Sequence, residues 1–307
     1  MSSKGLRRHG APLAAALAVA ATFMTAACAP AEGPGPSAST SVPEVPATTV
    51  PGTPSRPAPL VAVAGDGAVV VLDSGSGAVA RTLAPAPTSG VAGGVTLSAD
   101  KATAYFDRLA SGGTPTIYSV PVDGSAAPTV LASGGSPDAS PTGTKLAYLT
   151  ATQVIVLDTA TGTQQAWSSG GAGSSLTWAS SGTRLMWVRD QNQLMILNPA
   201  AFAQPQVVSA GAAEPGEKIY ATLGGSGYVF GSAIVGSGPA DTSVARLTLY
   251  TDHTVDRSPT DENAGYRDRA VDASGHWLLR VDALGNLRWS VGGGTGLIAT
   301  GYQFADW

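Results

Sequence analysis

Short apolar runs recur along residues 60–307, separated by turns rich in glycine, serine and threonine. A first motif places a small polar residue and a glycine before an apolar–aromatic run, as in Ser140–Tyr148 and Ala179–Trp187. This stretch carries no long helical periodicity, so the pattern predicts short strands joined by tight turns. The glycine position of the first motif recurs at Lys101, Gly143, Gly182, Gly225 and Gly275.

A second motif lies between copies of the first: an apolar run, a turn and a polar–apolar run. Each repeat therefore holds four strands. One four-stranded sheet cannot bury both of its faces, so the repeats must stack, and steps of about 40–45 residues with four strands each are typical of a β-propeller. The second motif begins at Val69, Ile117, Val154, Leu194, Leu247 and Leu287.

The segment Ser140–Tyr148, followed by Ile155–Asp158, resembles the repeat of TolB-type propellers, with Thr142 where that family usually has Asp. As architecture the resemblance extends over residues 60–307. It implies an all-β, six-bladed β-propeller of four-stranded antiparallel blades. TolB-like domains scaffold envelope complexes, so the resemblance also implies a binding role, although fold does not fix function.

The two ends of this region complement each other. The run from Leu60 matches the strand that follows the glycine turn, so the first blade lacks its innermost strand. Residues Tyr302–Trp307 resemble the innermost strand that begins at Leu176. We therefore expect the C-terminal strand to complete the first blade and to close the ring, which removes two exposed sheet edges. A frayed C-terminal tail is the alternative.

The N-terminus reads as an export signal. Lys4, Arg7 and Arg8 precede an apolar stretch that ends at Ala27, which predicts a signal peptide over residues 1–27. A membrane-spanning helix is the alternative. Thr25–Cys28 resembles a bacterial lipobox, with Thr25 where the family usually has Leu, and implies a lipidated Cys28 on a bacterial lipoprotein of the actinobacterial type. An ordinary cleavage site with an incidental cysteine stays open.

Composition supports this organisation. Residues 28–59 contain nine prolines and few large apolar side chains, which predicts a disordered tether after the lipidated cysteine. Without the signal the chain carries a net charge of −7, which argues against nucleic-acid binding. We expect a monomer, anchored by its lipid at the outer face of the cytoplasmic membrane, with an envelope protein or cell-wall ligand as partner.

The sequence offers no catalytic constellation. Its only histidines are His9, His253 and His276, and no zinc, calcium or phosphate-loop motif is present. We therefore expect no catalytic residues, no metal and no cofactor. A propeller enzyme of the lactonase, lyase or glycan hydrolase type is the alternative, and a small-ligand capture or sensor domain is a third.

One face of the predicted propeller carries more charged and aromatic residues than the other. Turns between the second and third strands emerge on the same face as the connections between blades, and we expect a ligand or partner to bind there. Solvated charges without a partner are the alternative. The predicted binding residues are Asp107, Arg108, Arg189, Asp190, Tyr266, Arg267 and Asp268.

Overall fold

The computed structural model describes residues 56–111, 113–179, 181–201, 204–209, 218–224, 229–236, 245–250, 255–259, 266–271, 277–282, 284–291 and 294–307. Apart from a 3₁₀ turn at Pro199–Ala201, its regular elements are strands. The first twelve are β1 (Leu60–Ala64), β2 (Val69–Leu72), β3 (Val79–Ala84), β4 (Val91–Leu97), β5 (Thr103–Leu109), β6 (Thr116–Pro121), β7 (Thr129–Ser133), β8 (Gly135–Ala139), β9 (Lys145–Leu149), β10 (Gln153–Asp158), β11 (Gln164–Ser168) and β12 (Gly173–Trp178). The others are β13 (Leu185–Arg189), β14 (Gln193–Leu197), β15 (Gln206–Ser209), β16 (Lys218–Gly224), β17 (Val229–Gly236), β18 (Ala245–Tyr250), β19 (Val255–Pro259), β20 (Tyr266–Val271), β21 (Leu278–Asp282), β22 (Asn286–Val291), β23 (Gly294–Thr300) and β24 (Tyr302–Asp306).

These strands form six four-stranded antiparallel sheets within the described ranges. Sheet 1 has the order β24-β1-β2-β3, and sheets 2 to 6 follow the chain as β4 to β7, β8 to β11, β12 to β15, β16 to β19 and β20 to β23. The first strands of successive sheets contact one another in the circuit β24, β4, β8, β12, β16, β20 and back to β24. The sheets therefore surround a common axis, with their first strands innermost.

Burial explains why the sequence forms these strands. The second strand of a sheet is covered on both faces, as in β9 and β13, so it is mostly apolar. The fourth strand is largely exposed, as in β3 and β7, and is more polar. In sheets 2, 3 and 4 the turn before the second strand contains a left-handed residue: Lys101, Gly143 and Gly182 have φ angles of 62°, 79° and 66°. The predicted glycine positions at 225 and 275 lie outside the described residues.

The core consists of apolar layers between neighbouring sheets. Phe106 and Val95 from sheet 2 pack with Val61 and Val71 from sheet 1. A second layer joins sheets 3 and 4 around Trp187. Because every layer needs two sheets, no sheet has a core of its own, as the repeat pattern predicts.

The C-terminal strand closes the circuit, which confirms the prediction. Strand β24 pairs with β1 in antiparallel register, with Val63 opposite Phe304. Trp307 is 1% exposed and packs edge-on against Trp277 of sheet 6, with ring centroids 6.2 Å apart. Phe304 packs into the layer between sheets 1 and 2. One strand from the end of the chain thus contributes to the core on both sides of sheet 1.

The compact unit begins at Pro54, before the first strand. The guanidinium of Arg56 donates to the carbonyl oxygens of Ser74 and Gly75 over 2.5 and 3.1 Å and lies 5.0 Å from the ring centre of Trp289. The last residues assigned to the tether therefore contact sheets 1 and 6.

Candidate functional site

The upper face is defined here as the end of the sheets that carries the turns between second and third strands and the connections between sheets. In a four-stranded antiparallel meander these two kinds of segment emerge at the same end. The described turns of this face lie at 65–68, 150–152 and 190–192, and the described connections at 85–90 and 169–172.

A depression of about 350 Å³ lies on the upper face where sheet 1 meets sheet 2. Its lining combines hydroxyl groups with one cation and one phenol, and it contains no acidic side chain. The lining residues are Ala86, Pro87, Thr88, Ser89, Arg108, Ala110, Thr116 and Tyr118.

Arg108 forms the charged part of this lining. It is half-buried near the end of β5, and its guanidinium lies 5.2 Å from the ring centre of Phe106. Its Nη2 donates to the carbonyl oxygen of Pro85 over 2.5 Å and lies 3.4 Å from that of Gly67, so it links sheet 2 to sheet 1. Its Nε is buried without an acceptor. Burial lowers the pKa of Arg108, and Tyr118 offsets part of this effect.

An exposed apolar pair lies at the upper end of sheet 2, on the face of β5 opposite to that of Arg108. Val91 at the start of β4 is opposite Leu109 at the end of β5. Their side chains are 59% and 37% exposed, although both belong to strands that are otherwise well covered. Leu284, on the upper-face turn of sheet 6, is 86% exposed. The upper face therefore presents aliphatic surface as well as charge.

Asp107 was predicted to lie in an exposed loop, and this prediction is wrong. It belongs to β5 opposite Ile117 and is 7% exposed. Burial raises its pKa to about 6, and the backbone amides of Ser136 and Gly94 offset part of this effect. Its Oδ1 has no hydrogen-bond partner among the described residues. A carboxylate buried at this depth is not available to bind a partner.

Arg189 and Asp190 lie on the upper face of sheet 4, where both have local partners. Arg189 ends β13 and donates to Oε1 of Gln193, with Nε 2.7 Å away. Asp190 and Gln191 have φ angles of 49° and 62° and form the left-handed centre of a tight turn, in which the amide of Asn192 donates to the carbonyl oxygen of Arg189 over 3.1 Å. Oδ1 of Asp190 accepts from the amide of Ala172 over 3.0 Å, which links the turn to the connection before β12.

Tyr266, Arg267 and Asp268 were predicted to lie in the turns or connections of the binding face. The structure instead places these three residues at the start of β20. Their backbone is at the upper end of sheet 6, and their side chains lie outside the described residues. The three histidines and Cys28 also lie outside the described residues.

No family model and no curated protein matches this chain. A chain from a crystal structure of a nidogen/laminin complex is similar to it with a TM-score of 0.58 and 10% identity, over 80% of this chain and 96% of that one. TolB from Acinetobacter baumannii is similar with a TM-score of 0.53 and 12% identity, over 81% of this chain and 65% of that one. The chain is a β-propeller. Its blades are four-stranded and antiparallel, and identities this low establish the fold alone.

The propeller does not bring the predicted binding residues into one cluster. They lie on sheets 2, 4 and 6, which alternate around the circuit of first strands. Of those whose side chains are described, Arg108 alone lines the depression. The candidate site is therefore the depression with the Val91–Leu109 pair, on the predicted face but over a smaller area.

Sequence reasoning missed a set of polar contacts along the inner wall. Oδ2 of Asp306 accepts from the amide of Leu97 over 2.9 Å, and Oδ2 of Asp138 accepts from the amide of Trp178 over 2.6 Å. Between them the hydroxyl of Thr96 accepts from the amide of Ala139 over 3.2 Å. Each contact joins one blade to the next.

The signal for this set lies two residues upstream of the first motif. The sequence reads Thr96-Leu97-Ser98, Asp138-Ala139-Ser140 and Thr177-Trp178-Ala179, and the chain ends in Asp306-Trp307. A hydrogen-bonding side chain thus recurs at one place on β4, β8, β12 and β24. Extending the repeat upstream would have identified it.

The described part of the chain contains neither a metal-binding cluster nor a candidate membrane-spanning helix. No group of three or more histidine, cysteine or acidic side chains lies close enough to hold a metal ion there. No helix in the same ranges is long and apolar enough to span a membrane.

Proposed function

We propose that this chain is an envelope-anchored, six-bladed propeller whose upper face binds another protein. The six-blade count is supported by the closed circuit of six first strands. The binding role is supported above all by the depression between blades 1 and 2. There an arginine without an acidic partner among the described residues lines a concave surface, and an exposed aliphatic pair lies at the same end of sheet 2.

This combination fits a protein partner. Protein interfaces combine an apolar centre with polar groups around it, and arginine is enriched among the residues that contribute most to affinity. Val91 and Leu109 supply the apolar part, and Thr88, Ser89 and Arg108 supply the polar part. The nidogen/laminin structure supports the proposal only in that a chain of this fold occurs there in a protein complex.

Site-specific cross-linking tests the proposal. A photoreactive benzoylphenylalanine at Val91 in the full chain, in the cells that make it, is expected to capture a discrete partner on illumination. The control places the same group at Thr161, an exposed turn residue at the opposite end of blade 3. Equal capture from both positions, or capture from Thr161 alone, contradicts the proposal.

The proposal places the propeller at the outer face of the cytoplasmic membrane, attached through a lipid on Cys28. This part rests on the sequence: Cys28 is the only cysteine, it follows the apolar stretch, and a proline-rich segment comes next. We expect Cys28→Ala to abolish metabolic labelling with palmitate and to release the protein from the membrane fraction. Unchanged labelling would contradict the anchor and would leave the binding face unaffected.

A further inference from the structure

We propose that Arg108 is a carboxylate-binding residue: the depression holds a carboxylate group of the partner protein, from an acidic side chain or from a chain terminus. This inference rests on the proposed function, because it assigns chemistry to the same surface. It starts from the unused hydrogen-bonding capacity of one guanidinium.

The first step is an account of the donors of Arg108. A guanidinium has five N–H donors. Nη2 faces the carbonyl oxygens of Pro85 and Gly67, whereas Nε has no acceptor. No hydrogen bond from Nη1 and no acidic group within 4 Å occurs among the described residues. Because Nε is buried, Nη1 is the group that keeps donors in reserve where this half-buried cation lines an open depression.

The second step concerns charge. A guanidinium removed from water loses solvation that the carbonyl groups of Pro85 and Gly67 replace only in part. A carboxylate supplies the missing counter-charge, and the planar guanidinium matches its two oxygens. With no acidic side chain in the lining, nothing within the depression competes for Arg108 or repels an anion.

The third step concerns the surroundings. Thr88, Ser89 and Thr116 contribute hydroxyl groups, which donate to carboxylate oxygens. The rings of Phe106 and Tyr118 stack with their centroids 5.3 Å apart, and the guanidinium of Arg108 lies against the ring of Phe106. The exposed Val91–Leu109 pair lies at the same end of sheet 2 but on the other face of β5. The hydroxyl and phenol groups around Arg108 therefore fit a carboxylate group.

The test uses the full chain with Cys28→Ala, labelled with ¹⁵N, and follows the Nε–H signal of Arg108 by NMR. Its probes are N-acetyl-leucine, which carries a terminal carboxylate, and N-acetyl-aspartate methylamide, whose only carboxylate is on the side chain. N-acetyl-leucinamide is the neutral control. We expect a saturable shift with at least one acid and none with the amide, and the comparison of the two acids identifies the source of the carboxylate.

Matched variants separate binding from folding. Arg81 also links blades 1 and 2, because its Nη1 donates to the carbonyl oxygen of Val122 over 2.9 Å. Arg81 is not part of the lining of the depression. Arg108→Lys is expected to weaken the acid about tenfold, because the bidentate geometry is lost, and Arg81→Lys is expected to leave it unchanged. Thr88→Val, which leaves the links of Arg108 intact, is expected to weaken it less. It keeps the test valid if Arg108→Lys misfolds.

Two results would overturn the inference: no saturable shift with either acid, or an equal shift with the neutral amide. Either result, with cross-linking from Val91 intact, removes the carboxylate subsite and leaves the protein-binding face in place. A saturable acid response without any cross-linked protein would instead count against the protein partner alone.

Discussion

Asp138 lies on the inner wall where three first strands meet. Besides its bond to Trp178, its Oδ1 is 3.3 Å from the hydroxyl of Thr96, which is also 3.2 Å from Oδ2 of Asp306. Thr96 has a single proton to donate, so the two carboxylates share it. Burial, and secondarily the charge of Asp306, raises the pKa of Asp138 to about 7. Burial also raises the pKa of Asp306.

These raised pKa values predict how stability depends on pH. The ordinary pKa of an aspartate is 3.8, so folded Asp138 holds its proton to a higher pH than the unfolded chain does. The folded state therefore binds more protons between about pH 4 and 7, and the free energy of unfolding falls as the pH rises through that range. Asp107 acts in the same direction. Urea unfolding at about pH 5 and about pH 8 measures the difference.

Asp138→Asn is expected to reduce this loss of stability between the two pH values, because it removes one of the titrating groups. Asp158→Asn is the control. Asp158 ends β10 and is only partly covered, and the hydrogen bonds that it accepts from Thr161 and Ala160 lower its pKa, so it is ionised in both states over the whole range. An unchanged pH dependence in Asp138→Asn would show that Asp138 does not titrate in this window.

A matched pair of glycines tests the packing of one blade on another. Gly77 and Gly162 occupy the same place in equivalent turns, each donating to an aspartate carbonyl over 2.8 Å, and both have a φ of 72°. A methyl group at Gly77 would lie 2.0 Å from the carbonyl oxygen of Ile298 on the neighbouring blade. A methyl group at Gly162 would have no other atom of its surroundings within 4 Å.

Both alanine variants incur the cost of a left-handed residue, about 1–2 kcal/mol. Gly77→Ala is expected to lose a further ~1–3 kcal/mol because blade 6 must shift. The free energy of unfolding of the two variants provides the comparison. Equal losses would show that the turn of blade 1 is not pressed against blade 6.

The hydrophobic pattern predicted most of the strands and failed at particular residues. Val69 begins β2, and the other second-motif starts lie in third strands as expected, because burial on both faces leaves a strong apolar signal. Asp107 was misplaced because a charged residue suggests a loop, and the backbone amides that receive it come from strands distant in sequence. The depression left no local signal, since its lining comes from the connection before β4 and from β5 and β6.

Strand β24 is the element whose loss is expected to be most damaging. Trp307, which directly follows β24, is 1% exposed, and truncating such an aromatic residue costs about 3–5 kcal/mol, a large part of the ~5–15 kcal/mol that stabilises a typical domain. Deleting residues 302–307 also exposes the edge of β1. We expect a sharply lower melting temperature or aggregation, measured by thermal unfolding.

Deleting residues 37–42, which belong to the proline-rich segment, provides the control of equal length and is expected to leave the melting temperature unchanged. If the C-terminal deletion melts like the full chain, β24 does not close the circuit, and the arrangement of the first strands must be revised.

The whole molecule is a closed circuit of sheets whose upper face differs from one blade boundary to the next. The described carboxylates of the inner wall are engaged with backbone amides, and Arg189 and Asp190 have partners within their own blade. The boundary between blades 1 and 2 combines open concave surface with an arginine that has spare donors, and exposed aliphatic side chains lie at the same end of sheet 2. Function is therefore expected at this boundary.

The most direct test measures the affinity of the partner captured from Val91 for two variants of the full chain. One carries Val91→Asp and Leu109→Asp on the upper face. The other carries Val130→Asp, which changes a valine that is 67% exposed on the outer strand β7. We predict at least about a tenfold loss of affinity for the first, or ~1.4 kcal/mol, and none for the second. Equal affinities for the two variants would contradict the claim that this face binds the partner.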